Sequence, residues 1–200
     1  MRVFIWFTGL FLLTSMLCSC AFVDQKVGLT YTPVVNATGG NGALSIAKPE
    51  IISIQKNNKG QYVIGTVKNG WGMKTADTVT NDSPADWIAL ALKIELERAG
   101  YDVTLVENIS GSGSKGLKPL VDRVWVDHDV GFWTVGAEAE VGFRVKAMKY
   151  GQIVDVISIR EEVCPRAMVG GDASQKGQAL QNAIQSSMQQ AIPQIINALE

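Results

Sequence analysis

The sequence predicts an α+β fold, an antiparallel β-sheet meander with two amphipathic helices packed on one face. Three observations carry that expectation. Over residues 134–149, Ala137, Ala139, Val141, Phe143, Val145 and Ala147 alternate with Glu138, Glu140, Arg144 and Lys146, so one strand face is apolar and the other charged. A strand with one buried and one wet face belongs in an antiparallel sheet covered on a single side. Apolar residues also recur at helical spacing after Ser83 and again after Ala173.

The elements follow in order. Val27, Leu29 and Tyr31 alternate with Lys26, Gly28 and Thr30, which predicts a first strand ended by Pro33. Residues 36–44 hold three glycines and read as a loop. Residues 51–55 and 61–67 read as strands joined by a hairpin over Asn57-Asn58-Lys59-Gly60, and residues 68–82 as an irregular stretch. Ser83 is placed to cap a helix, with Pro84 at its first position and Asp86 three residues after the cap. Trp87, Leu90, Ala91 and Ile94 share one face of that helix, flanked by Ile88 and Leu92, and Gly100 is its stop. Strands are expected over 101–107 and 120–127, separated by a loose segment at 110–116 and guarded by Pro119. The 134–149 strand turns at Tyr150-Gly151 into its hairpin partner, residues 153–162. The final helix carries a stripe of Leu180, Ile184, Met188, Ala191, Ile195 and Leu199, and Pro193 is expected to kink or restart it.

The leader has the three parts of a secretory signal. Arg2 is the positive residue, Val3 to Leu17 the apolar run, and Ser19 the small residue before the cut. A membrane-spanning helix needs about 20 apolar residues, and this shorter run is interrupted by Thr8, Gly9, Thr14 and Ser15. Leu17-Cys18-Ser19-Cys20 then makes a bacterial lipobox, in which Cys20 carries the lipid. Cys18 as acceptor would put Ser15 where leucine is favoured and Leu17 where a small residue is needed. Ala21 resembles the outer-membrane pattern of enterobacterial lipoproteins, in which Asp at that position signals inner-membrane retention. The organisation expected is a signal peptide over 1–19, a lipidated tether over 20–26 and one periplasm-facing domain over 27–200. Each buried methylene contributes about 0.8 kcal/mol, so several acyl chains on one sulfur anchor the protein without a spanning segment.

Composition excludes other classes. Removing Arg2 from the 18 basic residues leaves them outnumbered by the 19 acidic ones, which is no footprint for nucleic acid or anionic lipid. With Cys18 removed and Cys20 acylated, Cys164 is the one remaining thiol. It is expected to be buried at a strand end rather than bridged.

Candidate chemistry is sparse. Residues 111–116 match G-x-G-x-x-G, but that motif needs a helix opening at the last glycine. Pro119 and a strand are expected there instead, so a loop is the reading and no nucleotide is expected. His128, in Asp127-His128-Asp129, has no nucleophile motif to serve. With Cys164 it falls short of a zinc ligand set. Glu138 and Glu140, beside Arg144 and Lys146, read as a solvated charge ladder rather than a catalytic pair. No cofactor, metal or enzymatic activity is expected.

The aromatic residues are the best remaining signal. Trp71 and Met73 lie in a Gly-bearing loop, and Phe132 and Trp133 in another. Such groups cap the open end of a core, the commoner case, or form an exposed partner surface if both loops share one end of the sheet.

The lipobox, the segment Val27-Gly-Leu-Thr-Tyr-Thr-Pro33, the segment Lys68-Asn-Gly-Trp-Gly-Met73 and the capped helix ending Glu97-Arg-Ala-Gly-Tyr101 together resemble the YajG-type bacterial envelope lipoproteins. The resemblance covers most of the mature chain. It implies a lipid-anchored domain without catalytic residues, Cys20 being the family residue carried over. By element order the chain also resembles auxiliary lipoproteins of ABC-type lipid transport systems. Two functions are therefore expected in order: docking a protein partner in envelope assembly or maintenance, and carrying a lipid or glycan between the helices and the sheet. The first predicts a filled helix–sheet interface and an exposed apolar patch. The second predicts an apolar cavity of several hundred Å³.

Overall fold

A computed structural model describes residues 23–69, 71–109, 115–130, 135–164 and 173–200, with only the backbone given at 128–130 and 135. Nine strands form one sheet: β1 (Gln25–Lys26), β2 (Ala43–Ala47), β3 (Glu50–Ile51), β4 (Tyr62–Lys68), β5 (Lys74–Thr80), β6 (Asp102–Val106), β7 (Lys115–Val130), β8 (Val135–Lys149) and β9 (Gln152–Val163). The helices are α1 (Pro84–Ala99) and α2 (Ala173–Leu199). The α+β class stands.

The antiparallel meander does not hold throughout. β7, β8 and β9 are consecutive antiparallel strands, as are β4 and β5. Along its other edge, however, β7 receives β2, β3 and β4 end to end, all parallel to it. β2 and β6 are parallel, as are β1 and β5. Parallel neighbours need a long crossover, and α1, between β5 and β6, supplies one. Pro119 sits inside β7 rather than before it. It falls between the last β2 pairing at Leu117 and the first β3 pairing at Leu120, where its missing N–H costs no ladder bond.

Packing follows the predicted faces. The six apolar residues of β8 from Ala137 to Ala147 are all buried, against α2. α2 lies over β8 and β9, α1 over β6 and β7, and the helices touch each other. The whole α2 stripe is buried. Pro193 neither restarts nor ends the helix; it faces outward, where loss of one N–H leaves the core contacts intact.

α1 begins and ends where its caps require. Ser83 Oγ accepts from Asp86 N at 3.2 Å, and Gly100 closes the helix at φ 114°. Its buried face is turned from the predicted one: Ile88, Leu92, Glu95, Leu96 and Ala99 point inward with Trp87 and Ala91, while Leu90 is exposed. A glutamate in the buried stripe hides this face from a reading by hydrophobicity.

Residues 27–31 are not a strand. The alternation is real, since Val27 is buried and Gly28 and Thr30 are exposed, but only Val27 bonds a strand, donating to the Val79 carbonyl (2.9 Å). Beyond it the partners are the helices and Asp82 just before α1. Leu29 N donates to Asp82 Oδ2 (2.9 Å), Trp87 Nε1 to the Thr30 carbonyl (2.9 Å) and Gln185 Nε2 to the Thr32 carbonyl (2.8 Å). Val34 and Val35 donate their N–H groups to Glu95 Oε1 (2.7 and 3.1 Å), and Gly40 donates to the Ala99 carbonyl (3.0 Å). The segment is a strap lying along α1 and reaching α2. Two further strands contradict the loop readings. Ala43–Ala47 and Lys74–Thr80 both join the sheet: β2 buries Leu44 and Ile46, and β5 buries Val79 between Thr78 and Thr80.

Candidate functional site

Strand direction decides what lies at each end of the sheet. β4 runs parallel to β7, with Gly65 beside Val126, so the β4–β5 turn and the strand ends Val130 and Val135 are at one end. Lys68 Nζ reaches Asp127 Oδ2 at 2.6 Å and Thr66 Oγ1 donates to Asp127 Oδ1 at 2.7 Å, tying the two hairpins together there. Phe132 and Trp133 fall between those strand ends in sequence and lie outside the described residues, as does Cys20.

The β4–β5 turn is built around Asn69. Its Oδ1 accepts from Trp71 N and Met73 N (3.0 Å each), its carbonyl accepts from Gly72 N (2.9 Å), and its N–H donates to the Met73 carbonyl (2.9 Å). Gly72 adopts φ 76°, which the turn requires. This frame holds Trp71 88 % exposed and Met73 60 % exposed. Core capping is thus overturned for these two residues. Both side chains stand out from the frame.

Behind the turn, a lysine is buried. Lys176, one turn before Leu180 on the α2 stripe, donates from Nζ to the Thr66 carbonyl (2.7 Å) and to Thr78 Oγ1 (2.5 Å). Burial pushes its pKa down from 10.5 to about 8, with Asp127 pulling upward and Lys68 downward. Between pH 8 and 10 the unfolded lysine keeps a proton that the folded one has released, so stability rises with pH in that window. The penalty is complete below pH 8. Tyr31, whose phenol is raised by burial and by donation to Glu95, acts in the opposite sense above pH 10. Urea midpoints should therefore rise from pH 8 to 10 by the equivalent of about 2 kcal/mol. Lys176→Met should remove that rise; an unchanged slope in the variant refutes the assignment.

The outer sheet face carries the charges. Glu140 pairs with Arg123 Nε (2.5 Å) and Arg160 Nε (2.7 Å), and Asp122 takes Arg144 in a bidentate pair (2.9 and 2.7 Å). They line an open depression of about 450 Å³ with Ser158. Two arginines on Glu140 hold it as part of a cross-strand ladder. The backbone of His128 lies in β7 opposite that of Ala137. Lys115 and Gly116 open strand β7, so no helix starts at the glycine motif. Among the described residues no cluster of three or more His, Cys, Asp or Glu side chains is arranged to hold a metal. Cys164 is exposed, not buried as expected; it stands just past the end of β9. Glu95 and Lys176 were missed by the sequence reading; each interrupts an apolar helical stripe, which was the available signal.

No protein-family model matches the chain, and no curated protein does. Among solved structures it is similar to protein XCC0632 from Xanthomonas campestris, of family DUF330, with TM-score 0.55 and 15% identity over 88% of this chain and 95% of that one. That likeness shows a shared fold. An uncharacterized protein matches with TM-score 0.40 and 12% identity over 86% of this chain and 99% of its own. A Helicobacter pylori protein described as a homolog of neuraminyllactose-binding hemagglutinin matches with TM-score 0.39 and 13% identity, over 84% and 92% of the two chains.

Proposed function

We propose that this chain is a YajG-type lipoprotein of the cell envelope, held through acyl chains on Cys20 at the periplasmic face of the outer membrane, that docks a protein partner and performs no catalysis. The observation that carries docking over lipid or glycan carriage is the helix–sheet interface. Phe143, Leu92, Leu96, Leu180, Ile184 and Met188, all fully buried, occupy the space where a carried lipid would sit. Among the described residues no helix is long and apolar enough to cross a membrane, in keeping with attachment by acylation.

The partner surface we assign is the outer edge of β9. Among the described residues β9 pairs with β8 alone, and Ile153, Val154 and Val156 are about half exposed along it. An apolar edge strand is a template for an extended segment of another chain. The occupant is a strand of an envelope protein. A photocrosslinking residue at position 154 should give one discrete protein adduct in cells, and the same residue at Leu105, on the β6 edge, should not. In the same cells Cys20→Ser should move the protein from the membrane to the soluble fraction. No adduct at 154 removes the docking reading; an unacylated wild-type amino terminus removes the anchored one.

A further inference from the structure

We infer that the Trp71–Met73 turn is a second membrane contact, seated in the headgroup region of the bilayer that holds the acylated Cys20. The inference rests on the lipid-anchored reading and adds to it an orientation.

The direction of β1 is the first support. Gln25 lies beside Thr78 and Lys26 beside Val79, parallel to β5. Followed backward from Gln25, the chain therefore runs toward the start of β5, which is the Trp71 turn. Asp24 has already taken that course: its Oδ1 accepts from Asp77 N at 3.2 Å. Val23, the next residue, is exposed.

Chain length is the second support. From Gln25 to Cys20 there are five steps, which span at most about 18 Å. From Thr78 to Met73 there are also five, about 17 Å at the strand rise. The two lengths match, so an acylated sulfur and the turn can reach one bilayer surface together.

The turn has the chemistry for that position. Trp71 and Met73 offer an indole and a thioether almost unobstructed to the outside, and indoles favour the membrane interface. The N–H groups of Trp71, Gly72 and Met73 are all bonded within the turn, so none is left unpaired on leaving water. Lys68 and Lys74 flank the turn, level with lipid phosphates, while pairing with Asp127 and Asp77. Two points of contact set the tilt of the domain, where a lone tether would leave it free to turn.

The test uses the full acylated protein in vesicles of phosphatidylethanolamine and phosphatidylglycerol whose acyl chains are brominated near the headgroup. Wild-type tryptophan fluorescence should be quenched, and Trp71→Phe should lose about half of that quenching or more. The exposed position of Trp71 means the variant folds. Acylated protein whose quenching is the same with and without Trp71 overturns the inference alone. Intact mass showing no acyl chains on Cys20 overturns the anchored reading and this one with it. Absence of quenching, with a photocrosslinking residue at 71 capturing a protein in cells, overturns it in favour of a protein contact.

Discussion

Gly65→Ala is expected to lower the stability of the domain by about 3–5 kcal/mol. Gly65 is buried at the one point where β4 pairs with β7. A Cβ there would overlap the Val126 carbonyl oxygen and lie 2.9 Å from its carbon and 3.2 Å from Thr78 Cβ. The obstacle is mostly backbone of the central strand, which cannot rotate away as a side chain can. Relief would require β4 to separate from β7. That would carry off β5, β1 and the turn bearing Trp71, and would open the site of Lys176. Gly142 is the control, since a Cβ there comes no closer than 3.7 Å to any atom. Gly142→Ala should stay within about 0.5 kcal/mol of wild type. Urea midpoints for the two variants decide the matter; equal midpoints would mean that β4 does not abut β7 as described.

Gly65 also shows why part of this fold could not be read in the sequence. Local signals were legible: the Ser83 cap, the Gly100 stop, the α2 stripe and the alternation of β8 all arise from residues within a few positions of each other. Which strands neighbour one another is a non-local property, and β2, β3 and β4 meet β7 across long separations. β5 escaped notice because its buried members include Thr78 and Thr80, whose hydroxyls are satisfied only once neighbouring groups are in place. Thr78 Oγ1 bonds the Thr66 carbonyl and receives Lys176. At the candidate site, the glycines around Trp71 marked a turn but not its exposure. That depends on Asn69 closing the turn upon itself, a side-chain bond that periodicity does not register.

Glu95→Ala is expected to cost about 3–5 kcal/mol, and the loss should be concentrated in the strap. The carboxylate is buried and accepts from Tyr31 Oη, Val34 N and Val35 N, with Arg98 Nη1 at 3.2 Å on its other oxygen. Removal leaves the buried Val35 amide, the part-buried Val34 amide and a phenol without their acceptor, and a void beside α1. Glu95→Gln keeps an amide oxygen for Tyr31, Val34 and Val35 but loses the charge and turns an NH2 toward Arg98, so a smaller cost of about 1–2 kcal/mol is expected. Hydrogen exchange separates this from a general loss of packing: amides 34 and 35 should lose protection before those of β8. The strap begins directly after β1, and Glu95 holds it where it crosses α1. A glutamate inside an apolar helix face is accounted for by these bonds, because three donors of the strap on one carboxylate fix an extended segment. If amides 34 and 35 of Glu95→Ala keep wild-type protection, the strap is held by its apolar contacts alone.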